Sequence, residues 1–241
     1  MRDLYRTRIL IISDSITLGV TEIRGNEIVD RVDSTYVDLL RDRMPNAEFI
    51  IDADVRRTTV DATNRIDALL AEHHPDVVLL MIGGSDADIN WRRFVVSDGR
   101  IVSSGVPVMR YAANLRTLVA RIHMSGARAI LTDIHNHCLA IRGPYLAKMI
   151  GKDVTALLER SGGQAESDRR LERYCEAVDK IARETNCEVV AYGREMHRHP
   201  PEQVLGVDGM HPNGLAHRLI ADMLAPMLVQ RTRAVSAAQA V

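Results

Sequence analysis

Short runs of apolar residues alternate along this chain with longer amphipathic stretches. Continuous apolar runs of this length are typical of parallel strands that are buried on both faces. The runs predict strands at residues 8–12, 47–53, 76–82, 127–133 and 187–192. Helical periodicity predicts helices between them, at about 60–73, 108–125, 166–185 and 213–230, and another from Asp33 or Ser34 to Met44.

This regular alternation of strands and helices predicts the architecture. A strand followed by a helix, repeated along one chain, favours a parallel sheet with helices on both faces. We therefore predict a three-layer α/β/α fold of the α/β class, with five parallel strands in flavodoxin-like order. Residues 1–230 are expected to form one domain and residues 231–241 a flexible tail. Residues 19–31 are predicted as loop, and 87–107 together with 135–165 as a less regular cover over the site.

Charge and cysteine content exclude several classes of protein. Thirty-one basic and 32 acidic residues leave a formal charge of −1, so no net field attracts nucleic acid or an anionic membrane. The three cysteines have no CxxC spacing and are too few for a disulfide framework. No apolar run approaches the roughly 20 residues of a membrane span. We expect a soluble, cytoplasmic protein without a metal or other cofactor.

Two short motifs far apart in the chain carry the candidate chemistry. Ser13-Asp14-Ser15 follows the first predicted strand, and Asp208-Gly209-Met210-His211 precedes the last predicted helix. Together they supply a serine, a histidine and an aspartate, the side chains of a nucleophile activated by an oriented base. In a parallel sheet the loops after the strands meet at one edge, where ligands bind. Taken alone, the serine and the aspartate would be ordinary helix caps or turn residues.

A third motif, Gly83-Gly84-Ser85-Asp86, follows the third predicted strand, and with it the chain resembles the SGNH hydrolases of the GDSL esterase/lipase family. The resemblance spans roughly residues 8–229 and implies roles for single residues. It implies that Ser15 is the nucleophile, that His211 is the general base and that Asp208 orients the imidazole. Asp14 and Asp86 would support the loops next to the site.

The chain departs from the family pattern at the groups that hold the oxyanion. The family uses an asparagine where this chain has Ser85, beside Gly84, and a glycine where it places Arg56. Two interpretations follow. In one, the Ser85 hydroxyl and the Arg56 backbone or guanidinium replace the missing donors. In the other, the site no longer turns over and the protein is a silent binding protein with the same fold.

The first interpretation predicts an enzyme. It would cleave or transfer the acyl group of a small-molecule ester through an acyl-serine intermediate, with no nucleic acid or membrane partner.

Other polar residues near the predicted edge leave alternatives open. His135-Asn136-His137-Cys138 follows the fourth strand and could be a metal site, a substrate contact or an ordinary loop. Its spacing matches no standard zinc pattern. Trp91 could line a pocket wall or anchor its loop, and the anchoring role is the favoured one.

Overall fold

The structure is a computed structural model that describes residues 6–24, 27–100 and 102–238. For residues 92 and 229–238 it describes the backbone alone. The strands in these ranges are β1 (Thr7–Ser13), β2 (Val20–Arg24), β3 (Glu27–Arg31), β4 (Ala47–Ala53), β5 (Val77–Met81), β6 (Arg128–Thr132) and β7 (Glu188–Val190).

Five of these strands form a parallel sheet in the order β4-β1-β5-β6-β7. Counted within that sheet, the order is 2-1-3-4-5, so the predicted flavodoxin-like arrangement is confirmed. In β1, Ile9 pairs with Phe49 of β4 on one side and with Val77 of β5 on the other. The direction of the strand order reverses between β1 and β5. In open α/β sheets a ligand crevice forms at this point, beyond the carboxyl ends of the strands.

The helices cover both faces of this sheet. Within the described residues they are α1 (Tyr36–Arg43), α2 (Thr59–His73), α3 (Gly84–Ala87), α4 (Trp91–Val96), α5 (Val108–Met124), α6 (Leu139–Ile150), α7 (Val154–Arg160), α8 (Gly163–Thr185), α9 (Tyr192–Met196), α10 (Pro201–Val204) and α11 (Gly214–Ala238). The helices predicted at 60–73, 108–125 and 166–185 correspond to α2, α5 and α8.

Two apolar cores lie on opposite faces of the sheet. Successive strand residues point to opposite faces, and β1 shows the division. Leu10 and Ile12 pack into the core that contains α2, α5 and α8, whereas Ile9 and Ile11 pack into the core that contains α1 and α11. All four side chains are fully buried. The predicted three-layer α/β/α fold is therefore confirmed.

The prediction of loop for residues 19–31 is wrong. β2 and β3 pair there as an antiparallel hairpin. Its residues are mostly polar and half of the hairpin is exposed, so no apolar run marks it in the sequence. The hairpin is stabilised instead by a hydrogen bond between two of its side chains and by a contact with α6. Thr21 donates a hydrogen bond of 2.8 Å to Asp30 across the hairpin, and Tyr145 of α6 reaches the carbonyl oxygen of Ile23.

The two irregular segments also contain helices and pack together. Residues 87–107 contain α4, and residues 135–165 contain α6 and α7. Phe94 of α4, Leu139 of α6 and Leu157 of α7 belong to one separate apolar cluster. The two segments thus form a single cover beside the carboxyl edge of the sheet.

Helix boundaries differ from the predictions at both ends of the chain. Thr35, not Asp33 or Ser34, caps α1, because its side chain accepts the N–H of Asp38 while Asp38 accepts the N–H of Thr35. The backbone of α11 stays helical to Ala238, past the predicted end near Gln230. The single domain over 1–230 and the flexibility of the tail stay predictions. None of the helices in the described ranges has the length and apolar composition needed to cross a bilayer.

Candidate active site

Three polar side chains form a chain of short contacts at the carboxyl edge of the sheet. Ser15 follows β1, whereas Asp208 and His211 lie on the turn before α11. Ser15 Oγ is 2.9 Å from His211 Nε2, and Nδ1 of the same ring is 2.6 Å from Asp208 Oδ2. All three residues are buried. The fold thus brings together side chains that are 196 positions apart in the sequence.

Asp208 fixes the orientation of the imidazole. Its Oδ1 accepts the N–H groups of Met210 at 2.9 Å and His211 at 3.0 Å, which leaves Oδ2 for the ring. Burial acts to raise the pKa of Asp208, but the hydrogen bond and charge of His211 and these N–H donors outweigh it and lower the pKa. An ionised carboxylate only accepts hydrogen bonds, so Nδ1 carries the ring proton. Nε2 is then free to accept from the Ser15 hydroxyl.

The turn that carries Asp208 and His211 lies against the start of α6. Gly209 has a φ of +67°, and a Cβ there would lie 2.6 Å from the backbone nitrogen of Arg142. The N–H of Cys138 donates to the Gly209 carbonyl oxygen at 2.9 Å. A glycine is required at this position both for its backbone conformation and for the close approach.

A cleft of about 650 Å³ opens above Ser15 and His211. One wall comes from the sheet edge and the other from the hairpin and the helical cover. The apolar part of its lining consists of Ile16, Ile23, Ile89, Trp91, Leu146, Met149, Ile150 and Met210. The cleft is large enough for a small or medium substrate with an apolar portion.

The loop after β5 also contributes to the lining of the cleft. Gly83 has a φ of +139°, and a Cβ there would lie 2.8 Å from both Ile134 and Tyr111, so only glycine fits. Gly84 and Ser85 follow it on the short helix α3 and both line the cleft. Ser85 is half-buried. Its hydroxyl group therefore belongs to the same cavity as Ser15.

Arg56 lies beyond the carboxyl end of β4 and also lines the cleft. Its φ of +61° falls in the left-handed region, where glycine is the usual residue. This conformation fits the alignment of Arg56 with the glycine of the family motif. The side chain is exposed.

Asp14 and Asp86 hold backbone next to the cleft. Asp14 Oδ1 accepts the N–H of Ile16 at 3.0 Å, and Asp86 Oδ2 accepts the N–H of Thr59 at 3.0 Å. Both carboxyl groups are buried. Burial raises the pKa of each to about 6, against the opposing effect of these N–H donors. The Asp86 contact ties the start of α2 to α3, so it fixes two loops of the cleft relative to each other.

His135 and His137 are buried in the wall of the cleft and are not an exposed loop. His135 Nε2 lies 2.6 Å from the carbonyl oxygen of Met210, on the turn that carries Asp208 and His211. Burial lowers the pKa of His135 to about 4 and holds that of His137 well below its usual value. Within the described ranges no cluster of three or more His, Cys, Asp or Glu side chains is placed to hold a metal ion.

Sequence reasoning missed several residues of the cleft. Asp88 and Arg142 line it, as do Tyr145 of α6 and Ile23 of the hairpin. Trp91 was assigned mainly to anchoring. It does both: its Nε1 donates to Asp88 at 3.1 Å, and its ring lines the cleft. A lone arginine or tyrosine on a surface-like segment carries no sequence signal that separates it from a solvated side chain.

Comparison with protein families gives one match. The model of the GDSL-like lipase/acylhydrolase family matches residues 14–219, which include all of the three motifs described above except Ser13. A comparison with curated protein sequences finds no match.

Several solved structures share the fold at low sequence identity. A lipase/acylhydrolase from Enterococcus faecalis superposes with a TM-score of 0.67 at 19% identity, covering 93% of this chain and 96% of that one. Esterase EstA from Pseudoalteromonas sp., described in a form inhibited by monoethylphosphonate, gives 0.62 at 21% identity, with 94% and 99% covered. A catalytic mutant of an acetylxylan esterase from Geobacillus stearothermophilus gives 0.61 at 21% identity, with 90% and 92% covered. At these identities the likeness establishes the fold.

Proposed function

This chain belongs to the GDSL-like lipase/acylhydrolase family, and on that premise we propose that it hydrolyses a carboxylic ester through an acyl intermediate on Ser15. The observation that carries the proposal is the contact of 2.9 Å between Ser15 Oγ and His211 Nε2, together with the 2.6 Å contact between His211 and Asp208. The family and its esterase neighbours support ester hydrolysis in general. The roles of the individual residues are part of the proposal.

In the acylation step Ser15 Oγ attacks the ester carbonyl carbon. His211 Nε2 accepts the hydroxyl proton, and the carbonyl π electrons move to oxygen to give a tetrahedral intermediate. Asp208 stabilises the imidazolium that forms. When the C–O bond to the alcohol breaks, Nε2 returns the proton to the leaving oxygen, so that an alcohol departs and the acyl group stays on Ser15.

In the second step water hydrolyses the acyl intermediate by the same kind of proton transfer. His211 Nε2 accepts a proton from the water as its oxygen attacks the acyl carbon, and the proton passes to Ser15 Oγ as that bond breaks. The products are a carboxylic acid and the free enzyme. An alcohol in place of water would give acyl transfer with the same proton movements.

The oxyanion needs donors that the family usually takes from an asparagine and a glycine. We assign this task to the N–H of Ser15, the N–H of Arg56 and the hydroxyl of Ser85. The left-handed backbone of Arg56 supports the assignment, because it is the conformation that the family's glycine would adopt at no cost. Ser85 supports it by lining the same cleft as Ser15, beside Gly84.

The test is covalent labelling of the nucleophile. A fluorophosphonate probe should add its mass once to the wild-type protein and not to Ser15→Ala. The exposed Ser125→Ala variant is the matched serine control and should label as wild type does. A chromogenic acetate ester should be turned over by wild type and Ser125→Ala only. Folded wild-type protein that neither labels nor hydrolyses the ester would overturn the proposal and favour a silent binding protein.

A further inference from the structure

Arg142 places a buried guanidinium group in the wall of the cleft. It belongs to α6, its side chain is 6% exposed, and it lines the same cavity as Ser15 and His211. The guanidinium carbon lies 5.1 Å from the centroid of the Trp91 ring, so the group is stacked on an aromatic face. Its Nε has no hydrogen-bond partner anywhere in the described part of the chain.

Among the described residues, the guanidinium makes only one long hydrogen bond to a carboxylate. Asp88 Oδ2 lies 3.5 Å from Arg142 Nη2. Asp88 is also engaged elsewhere, since it accepts from Trp91 Nε1 at 3.1 Å and from the N–H of Ile89 at 2.9 Å. Well-formed pairs between arginine and carboxylate have contacts of about 2.7–2.9 Å.

Two partly buried arginines of this protein have closer carboxylate partners. Arg57 also has a nitrogen without a hydrogen-bond partner in the described ranges, but it lies 2.5 Å from the carboxylate of Asp52. Arg128 likewise has a nitrogen without a hydrogen-bond partner among the described residues, and its guanidinium contacts the carboxylate of Glu188. Arg142 differs from both because its contact with Asp88 is longer, at 3.5 Å, and because Asp88 also accepts hydrogen bonds from Trp91 and Ile89.

A second guanidinium leaves the cluster with excess positive charge. Arg170 of α8 is also buried, its Nε has no partner among the described residues, and Asp88 attracts it as well. Asp88 therefore serves two guanidinium groups. The other carboxylate that attracts Arg170, Glu166, is itself paired with Arg169 at 2.8 Å. His137 adds no charge, because burial keeps it neutral by lowering its pKa far below the usual value. Leaving a buried charge without a partner is strongly unfavourable, which makes this wall a site for an anion.

The cluster lies close to the reacting serine and histidine. The backbone nitrogen of Arg142 is so near Gly209 that a Cβ there would lie 2.6 Å from it. Gly209 in turn sits between Asp208 and His211 in the sequence. Arg142 also lines the cleft that contains Ser15 and His211, so an anion bound at its guanidinium would share that cleft with an ester at Ser15.

We propose that Arg142 forms a subsite for a carboxylate or phosphate group on the ester substrate, at the end of the cleft where Trp91 and Asp88 hold the guanidinium in place. A guanidinium presents a planar fork of N–H donors that fits either anion. The proposal rests on the proposed function, because it places the anion on the substrate of Ser15. The subsite narrows the expected substrates to esters that carry an acidic group on either the acyl portion or the alcohol portion.

Binding to the Ser15→Ala variant tests the subsite without turnover. Titration calorimetry would compare monomethyl glutarate, which carries a free carboxylate, with dimethyl glutarate, its neutral counterpart. We expect the anion to bind about 10-fold to 100-fold more tightly, the range for a hydrogen-bonded charge pair. Inorganic phosphate, titrated as a competitor, would tell whether the same group also accepts a phosphate. Equal affinity for the two glutarates would overturn the proposal.

Variants of the arginine assign the preference to that side chain. In the Ser15→Ala background, Arg142→Gln should abolish the preference for the anion, and Arg142→Lys should keep part of it through its charge. Arg110→Gln, an exposed arginine on α5, is the matched control and should keep all of it. A preference that survives in folded Arg142→Gln would contradict the assignment. Should Arg142→Gln not fold, the double variant with Asp88→Asn removes both charges of the pair and is measured instead.

Turnover separates this proposal from the proposed function. Wild-type protein should cleave the 4-nitrophenyl monoester of glutaric acid with a higher kcat/KM than 4-nitrophenyl 5-methylhexanoate, which has the same branched shape without charge. Labelling at Ser15 with no preference for the charged ester or for the free carboxylate would overturn the subsite alone. Tight binding of monomethyl glutarate by a protein that does not label would overturn the hydrolase and leave the subsite standing.

Discussion

The hydroxyl group of Tyr145 donates a hydrogen bond of 2.8 Å to the backbone carbonyl oxygen of Ile23. Tyr145 lies on α6 and Ile23 on β2, and both line the cleft. The bond therefore joins the helical cover to the hairpin across one end of the cavity. Since β2 and β3 have little apolar surface of their own, this contact positions a wall of the cleft.

Replacing Tyr145 by phenylalanine should loosen that wall and leave the reacting groups in place. A hydrogen bond of this kind is worth about 1 kcal/mol, or roughly a five-fold change in an equilibrium constant. We expect KM for an apolar ester to rise about five-fold and kcat to stay near the wild-type value. Steady-state kinetics measure both. A fall in kcat at constant KM would show that the tyrosine acts on the chemistry and not on the shape of the cleft.

The features that could be predicted from the sequence are those that depend on local hydrophobic patterns and short motifs. The buried strands, the three-layer fold and the positions of Ser15, Asp208 and His211 follow from apolar runs and from motifs that keep their spacing. The contacts of Ser15 with His211 follow from topology, because loops after parallel strands converge on one edge.

The parts that the sequence did not predict depend on tertiary contacts. Half of the residues in the β2–β3 hairpin are charged, and they hide the alternation that marks a strand. Arg142 lies on a helix of mixed composition, where an arginine is normally solvated. Only the packing of α6 against the Gly209 turn and Trp91 buries it, and that packing has no signature in the sequence.

The substitution Asp208→Asn should prevent His211 from acting as the base while it leaves the turn of residues 208–211 in place. Its carbonyl oxygen can replace Oδ1, which accepts the N–H groups of Met210 and His211. Its amide nitrogen then faces Nδ1 as a donor and forces the ring proton to Nε2, where it cannot accept from Ser15. The matching change in another serine triad lowers kcat about 10⁴-fold, and we expect a loss of at least about 10²-fold by Asp208→Asn. The exposed Asp42→Asn variant is the control for kcat and for thermal stability.

Two substitutions at Arg56 separate its backbone from its side chain. Arg56→Gly keeps the N–H and relieves a φ of +61°, whereas Arg56→Ala keeps the strained backbone and also lacks the guanidinium. Urea unfolding should find the glycine variant more stable than the alanine variant by about 1 kcal/mol. Because the oxyanion donor is assigned to the N–H, kcat of Arg56→Gly should stay within about three-fold of wild type. If the guanidinium is the donor, both variants should lose about 10²-fold in kcat.

A buried histidine connects α11 to α1. Nδ1 of His217 accepts the N–H of Tyr36 at 3.1 Å, and the two rings stack with their centroids 6.0 Å apart. Tyr36 begins α1, so this bond satisfies one of the N–H groups that a helix start leaves open. Nε2 has no partner in the described ranges. Burial lowers the pKa of His217 to about 4, against the attraction of Asp38.

His217 should make the free energy of unfolding depend on pH in the acid range. In the unfolded chain the imidazole binds a proton below its ordinary pKa of 6.5, and in the folded protein only below about 4. The stability is therefore complete above pH 6.5 and is lost as the pH falls towards 4, by up to about 3 kcal/mol. Buried Asp14 and Asp86 act in the opposite direction, because their raised pKa lets the folded state take up protons first.

The measurement is thus a difference between variants: urea unfolding of wild type and His217→Asn from about pH 7.5 to pH 4.5. Asparagine keeps an acceptor near the position of Nδ1 and does not titrate, so its curve should fall less steeply, while the exposed His197→Asn control should follow wild type. Parallel curves for wild type and His217→Asn would mean that the buried imidazole does not exclude the proton.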